Sequence, residues 1–343
     1  MSRHANLGPI AVCLPRRKET IDDLREEFPQ WNLEEIYAKT GIHRRHIAEE
    51  DQCASDLGVE AAEKLFEQYA VSRDSIDVLL FCSQAPDYVL PTTACLMQER
   101  LGLSKRIGAL DFNLGCSGFV YGLSLAEGLI CSGAARRVLL ITADTYSKYI
   151  HPTDRSLRTI FGDGAAATLV DAGESRSIGP FTFGTDGRGG HSLMVTSGGA
   201  RPEKDALKPR KRKRWPSRLY MDGSDLVSFA LTEIPGLVEE LFQKAQLDKE
   251  QIDFFLMHQA TRKMLEMLRI HLELPAEKAP IEMEAVGNTV SSTLPILIEE
   301  MRRRKRIAPG TCSMLLGFGV GLSWSGCVWH ETWNEAEKRY HSS

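Results

Sequence analysis

Two observations predict an α/β layered fold made of two similar halves. Apolar runs of strand length alternate with helix-period segments, and part of the chain repeats at a fixed offset. The runs are Val78-Leu79-Leu80-Phe81, Val138-Leu139-Leu140-Ile141, Ala166-Ala167-Thr168-Leu169-Val170, Phe254-Phe255-Leu256-Met257 and Met314-Leu315-Leu316. Short, nearly continuous apolar runs of this kind suit strands covered on both faces. Several follow helical patterns, such as Gly58 to Tyr69 and Leu226 to Ala245, and such alternation builds sheets packed between helices.

The repeat decides the organisation. Glu63-Lys64-Leu65-Phe66 parallels Glu239-Glu240-Leu241-Phe242, and Ser75-Ile76-Asp77-Val78-Leu79-Leu80 parallels Gln251-Ile252-Asp253-Phe254-Phe255-Leu256. One offset serves both, since 239 − 63 = 176 and 252 − 76 = 176, and Val138-Leu139-Leu140 falls on Met314-Leu315-Leu316 at the same offset. A constant register over three segments points to duplicated supersecondary units. At 343 residues the chain exceeds what one core serves well. The halves are expected over 1–174 and 175–343, joining near Asp171 to Ser177.

A segment of different character, about 197–218, lies in the second half. It opens with Gly198-Gly199 and runs through Lys208-Pro209-Arg210-Lys211-Arg212-Lys213-Arg214-Trp215-Pro216. Prolines and consecutive like charges exclude a regular buried element, so an exposed loop is predicted. Two readings stand: a solvated surface loop, or a basic site for phosphates or an acidic partner.

Composition narrows the function classes. Apolar residues make up 43% and charged residues 26%, with a net charge of −4 and a pI near 6.2. No chain-wide basic footprint exists, so nucleic acid is not expected as the main partner. No 18-residue apolar run occurs, and Arg3 and His4 precede no apolar h-region. Neither a membrane span nor a signal peptide is expected, and the protein is placed in the cytoplasm. The eight cysteines, at 13, 53, 82, 95, 116, 131, 312 and 327, form no C-x-x-C pair and no cluster with zinc spacing. No metal is expected, and seven of the eight are read as buried free thiols.

The eighth is Cys116, in Asp111-Phe112-Asn113-Leu114-Gly115-Cys116-Ser117-Gly118-Phe119. A strand-like run, Ile107 to Phe112, ends in a Gly-containing turn, and a helical stretch follows from about Ser117 to Ile130, apolar on every side. A cysteine at the N-terminus of a buried helix faces unpaired N–H groups and the positive dipole end, which favour thiolate and predict a lowered pKa. A cysteine at a helix start is commonly structural, so chemistry requires partners. His258 follows the strand Phe254–Met257 directly and aligns with Cys82 in the repeat. The C-terminal ends of strands in α/β folds gather functional groups. Asn288, in Gly287-Asn288-Thr289-Val290-Ser291-Ser292, sits in a polar turn, which is also what Gly-Asn commonly makes.

These segments resemble the β-ketoacyl-acyl-carrier-protein synthase III group of the thiolase superfamily over nearly the whole chain. Thr40-Gly41-Ile42-His43-Arg44-Arg45-His46-Ile47, Pro152-Thr153-Asp154-Arg155 with Phe161-Gly162-Asp163-Gly164-Ala165, Gly287-Asn288-Thr289 and Gly317-Phe318-Gly319-Val320-Gly321 occur in family order and spacing. The resemblance implies the thiolase fold, two α/β halves in a five-layered α-β-α-β-α core. It also implies that Cys116 takes an acyl group from an acyl-CoA, with no cofactor beyond that thioester substrate. His258 and Asn288 would bind the carbonyl of a malonyl-type thioester, which decarboxylates and condenses with the acyl-Cys. Two neutral donors aimed at an enolate oxygen suit that step. Backbone N–H groups of Cys116 and of a Gly in the 317–321 turn, Gly319 among them, would form the oxyanion hole. Arg155 and Lys39 match CoA contacts, Lys39 replacing a family Arg and so a planar fork with a point charge. Leu90 falls where the family gates its acyl pocket. A homodimer and an acidic acyl carrier protein are the implied partners, the carrier steered by Arg262, Lys263 and the loop residues Lys211 and Arg212.

The sequence departs from the family in three further places. Thr261 replaces the Asn of H-Q-A-N, Glu35 stands where a tryptophan commonly stacks on adenine, and the Lys208–Arg214 loop is an addition. The alternatives are an enzyme of this type that passes the acyl group to an alcohol or amine, and a non-catalytic thiolase-fold subunit. The intact Cys, His and Asn set argues against both. A thiolase would carry C-x-G where this chain has Gly317-Phe318-Gly319, and Pro152-Thr153-Asp154-Arg155 points away from type III polyketide synthases.

Overall fold

The computed structural model describes residues 4–202, 208, 215 and 217–334. The first sheet has five strands in the order His4–Cys13, Gly164–Gly173, Arg137–Asp144, Val78–Cys82 and Gly108–Phe112. The last three run parallel and the first two pair antiparallel. The second sheet has four, in the order Ile178–Thr185, Ser323–His330, Cys312–Gly319 and Phe254–Met257, with only the last pair parallel. The parallel pair Val78–Cys82 with Arg137–Asp144 thus has a counterpart in Phe254–Met257 with Cys312–Gly319. The second sheet matches the first strand for strand, except that Gly108–Phe112 has no equivalent.

Side-chain alternation along the strands sets the layers. Leu80 and Leu140 point inward with Leu256, Leu315 and Trp329 of the second sheet. Between them lie Phe119 and Leu123 of the helix Gly118–Cys131 and Leu294 and Ile298 of the helix Thr293–Arg303. Leu79, Phe81, Leu139 and Ile141 point outward under the helices Ala54–Tyr69 and Thr93–Arg100. On the far side Phe255, Met257, Met314 and Leu316 lie under Gly223–Ala245 and Arg262–His271. The result is five layers, α-β-α-β-α, as the thiolase fold requires.

The central helix approaches its sheet closely because it lacks side chains where they meet. A Cβ at Gly122 would stand 2.6 Å from Leu140 Cδ1, and one at Gly118 would stand 2.3 Å from Cys82 Sγ. The expectation that this helix is buried all round needs correction. Phe119, Val120, Leu123, Ala126 and Ile130 are buried, whereas Leu125 is 42% exposed and Cys131 is exposed. Successive helical residues diverge by about 100°, so Ile130 turns inward and Cys131 outward. None of the eight cysteines is in a disulfide, but Cys95 and Cys131 are exposed and Cys53 is half-buried, so burial holds for four of the seven thought structural. Among the described residues no helix is long and apolar enough to cross a membrane.

Candidate active site

Cys116 is 5% exposed, held in a turn in which the Gly118 N–H donates to the Gly115 carbonyl at 2.8 Å. The end of the strand Cys312–Gly319 lies against it. A Cβ at Gly319 would stand 2.8 Å from both Cβ and Sγ of Cys116, and one at Gly317 would stand 2.9 Å from the Cys116 carbonyl oxygen and from Ser117 Cα. Only glycine leaves room for the sulfur. A backbone N–H that faces the sulfur from this turn belongs to Val320.

The expected lowering of the Cys116 pKa does not occur. Burial pushes the thiol up to about 12 and outweighs the opposing Val320 N–H, with the nearby Asp144 adding to the rise. Removing a thiolate from water costs more here than one helix terminus returns. Cys116 rests as a neutral thiol.

His258 continues the second sheet beyond Met257, its N–H donating to the Leu316 carbonyl at 2.8 Å. It is 2% exposed, and burial holds its imidazole down at about 3, so the ring is neutral. Nδ1 lies 2.7 Å from Thr293 Oγ1, and Nε2 lies 3.5 Å from Asn288 Nδ2. Asn288 is 4% exposed and is tied to the segment before Gly162 by backbone bonds to Ile160 and Gly162. Gly287 reaches it with φ of +77°, a left-handed conformation that favours glycine. The Val290 N–H donates to Asn288 Oδ1 at 2.9 Å, which directs Nδ2 toward His258.

Cys116, His258, Asn288, Thr261 and Gly319 line one cavity of about 190 Å³, completed by apolar side chains such as Leu193, Met264 and Phe318. A second cavity, of about 500 Å³, shares Leu193 and is bounded by Gln84, Asn113, Tyr146 and Val320. Gln84 reaches the Cys116 turn, since a Cβ on Gly115 would stand 2.5 Å from its Oε1. Tyr146 donates to that oxygen at 2.5 Å and Gln84 Nε2 donates to Asn113 Oδ1 at 3.0 Å. Thr261 caps the helix Arg262–His271, accepting from the Met264 N–H at 3.4 Å, so replacing the family Asn retains an N-cap.

Other expected residues fall outside this cavity. Lys39 is an exposed residue paired with Glu35 at 2.5 Å on the helix Leu33–Thr40. Arg155 opens the short helix Arg155–Arg158; the bonded Lys39 ammonium, with a smaller pull from Arg155, holds the Glu35 carboxyl below its usual range, which gathers Glu35, Lys39 and Arg155 into one exposed charged cluster. Leu90 is 79% exposed and lines neither of these two cavities. Arg262 lies over the Tyr37 ring at 5.2 Å, and Lys263 is exposed beside it. Lys211 and Arg212 lie outside the described residues; the ends of their loop meet where Ser197 Oγ donates to the Ser217 carbonyl at 3.1 Å.

Sequence reasoning missed Asp144. It is fully buried at the end of its strand and accepts from Ser291 Oγ at 2.5 Å, the Ser291 N–H at 3.2 Å and the Gln84 N–H at 2.8 Å. Burial raises it to about 7 against those hydrogen bonds. The signal existed: 144 + 176 = 320, so the repeat sets Asp144 and Val320 at matching strand ends, both beside Cys116.

Comparison with known proteins identifies the family. Residues 110–187 match the family model for 3-oxoacyl-[acyl-carrier-protein (ACP)] synthase III, and residues 242–330 match that for its C-terminal part. A β-ketoacyl-[acyl-carrier-protein] synthase III from Halalkalibacterium halodurans is 34% identical over 325 residues, 94% of this chain and 96% of the relative. The chain belongs to the β-ketoacyl-acyl-carrier-protein synthase III family. It is an acyltransferase of the condensing type. A 3-oxoacyl-(acyl-carrier-protein) synthase III crystal structure superposes with a TM-score of 0.90 at 50% identity, covering 95% of this chain and 99% of that one. The synthase III of Thermus thermophilus superposes at 0.85 with 32% identity, covering 94% and 97%. Like these synthases III, the chain has the thiolase fold.

Proposed function

We propose that Cys116, His258 and Asn288 carry a decarboxylative condensation between an acyl-CoA and a malonyl-type thioester, probed most directly as malonyl-acyl carrier protein. The observation that supports this is their shared cavity, with Gly319 against the sulfur and the Val320 N–H facing it. The Cys116 thiol attacks the acyl thioester carbonyl; a bond forms between its sulfur and the acyl carbon, the bond from that carbon to the CoA sulfur breaks, and CoA leaves as the thiol, carrying the proton. Because Cys116 rests protonated, loss of its proton accompanies attack. His258 and Asn288 then hold the malonyl thioester oxygen. Loss of CO₂ leaves an enolate, which attacks the acyl-Cys116 carbonyl and releases the cysteine as thiolate, to be reprotonated.

Neutral donors suit this step: a buried imidazole that stays uncharged offers a hydrogen bond without having to lose a proton. The acyl chain extends into the cavity bounded by Gln84 and Tyr146. We further propose that residues 1–174 and 175–343 are the two fold units and that the enzyme works as a homodimer. Support for the dimer lies in the exposed apolar residues Tyr88, Val89, Leu90, Leu110 and Phe183, Leu90 thereby gating a partner's pocket. Arg155 and Lys39 are assigned to CoA, and Arg262, Lys263, Lys211 and Arg212 to the carrier. Eight cysteines, none in a disulfide, fit a reducing cytoplasm.

The test is intact-protein mass spectrometry of wild type and Cys116→Ala after incubation with a panel of acyl-CoAs. One acyl mass on wild type alone, discharged by malonyl-acyl carrier protein, is the expected result. An adduct on Cys116→Ala as well, or an adduct that the malonyl carrier does not discharge, would overturn the assignment.

A further inference from the structure

We propose that Thr293 is the positioning residue that fixes the tautomer of His258, its hydroxyl donating to Nδ1 so that Nε2 carries the proton aimed at the thioester oxygen. The inference rests on the assignment of His258 to that oxygen. It starts from Asn288, whose Oδ1 is occupied by the Val290 N–H at 2.9 Å. The amide therefore cannot exchange its ends without losing that bond, and Nδ2, a pure donor, is the atom facing His258 Nε2 at 3.5 Å.

Two arrangements follow. If Nε2 lacks a proton, Asn288 donates to it, and the two groups satisfy each other with no interest in a substrate oxygen. If Nε2 carries the proton, two donors converge on the same cavity and an oxygen between them completes both. Only the second arrangement binds an enolate. It requires Nδ1 to be an acceptor, and the group at Nδ1 is Thr293 Oγ1, 2.7 Å away.

Thr293 has one hydroxyl proton and two acceptors within reach, since Oγ1 also lies 3.2 Å from the Val290 carbonyl. Donation to Val290 turns the hydroxyl into an acceptor for Nδ1–H and leaves Nε2 bare. Donation to Nδ1, the shorter contact, sets Nε2–H. Both residues are buried, His258 at 2% and Thr293 at 3% exposed, and the Phe318 ring stands edge-on to the imidazole at 5.9 Å. The choice is therefore made by this hydroxyl. A substrate oxygen between Nε2 and Nδ2 rewards one tautomer and so shifts the population toward it.

The test compares Thr293→Val, which keeps the shape and removes the hydroxyl, with Thr293→Ser, which keeps the hydroxyl. Acyl loading of Cys116 from an acyl-CoA and CO₂ release from malonyl-acyl carrier protein are followed separately, and ¹⁵N NMR of the imidazole reports the tautomer. Thr293→Val should lose about 10²-fold in kcat for CO₂ release, with KM and acyl loading little changed. Thr293→Ser should stay near wild type, and the proton should sit on Nε2 in wild type and Ser but leave it in Val. CO₂ release near wild type in Val, equal defects in Val and Ser, or Nδ1–H in wild type would each overturn the inference. His258→Ala separates the two levels. If it leaves CO₂ release intact, the assignment of His258 fails; if it abolishes release while Thr293→Val does not, only the role of Thr293 fails.

Discussion

Gly319→Ala is the sharpest steric probe of the nucleophile. The added methyl would stand 2.8 Å from Cys116 Sγ and from its Cβ, where ordinary contact begins at 3.4 Å. That is an overlap of 3.4 − 2.8 = 0.6 Å on each of two atoms. Gly319 is not among the glycines with positive φ, so alanine adds no backbone strain there and the whole cost is contact. Either the sulfur turns away or the Gly319–Val320 turn retreats, and with it the N–H that faces the sulfur. Overpacking of this size costs about 1–3 kcal/mol of stability, and moving a reacting atom by roughly 1 Å can cost about 10²-fold in rate. The assay is the rate of acyl-adduct formation by intact mass, beside thermal unfolding and alkylation of Cys116 by a small reagent. A protein that unfolds within a few degrees of wild type but loads acyl groups about 10²-fold more slowly is expected. Loading at the wild-type rate would refute the placement of the sulfur under Gly319.

Three other predictions follow from the same structure. His258→Ala and Asn288→Ala should each retain acyl loading of Cys116 while losing about 10²–10³-fold in CO₂ release from the malonyl thioester, checked by the two half-reaction assays. Glu19 is buried and accepts from Arg158 at 2.6 Å and from Arg45, itself 2% exposed; Glu19→Ala leaves that buried cation unpaired and should cost about 3–5 kcal/mol in urea unfolding. Stability should respond to pH through two opposed groups. His258 takes up a proton below 6.5 only when unfolded, so its contribution is lost as pH falls from 6.5 toward 3, while Asp144 is protonated in the fold up to about 7 and weakens it as pH rises from 3.8 to 7. Asp144→Asn removes the second slope, so urea midpoints between pH 4 and 6.5 should rise more steeply with pH than in wild type; an unchanged slope would refute this.

Much of this was legible in the chain because strand and helix periods, and a repeat at constant offset, are carried by the apolar residues themselves. Val78–Phe81 and Phe254–Met257 were found from sequence because strands covered on both sides tolerate little else. His258 and Asn288 were legible from motifs and from their places at a strand end and a turn. The Cys116 pKa was not, because a helix N-terminus is written locally whereas burial depends on how Gly317 and Gly319, two hundred residues away, close over the sulfur. Thr293 and Asp144 were missed for a related reason. Each looks like an ordinary capping or strand-end residue until the fold sets it against His258 or Ser291.

The thiol lies before residue 174, whereas the imidazole, the amide and the Val320 N–H lie after it. On the assignment proposed above, the two sheets hold different parts of the chemistry, a division of labour between the two sides of the fold. Neither segment produced alone would carry out the reaction, and any activity recovered on mixing them would count assembled pairs. On that assignment turnover itself would report docking of the two sheets: a molecule whose halves had parted would be silent, however well folded each remained.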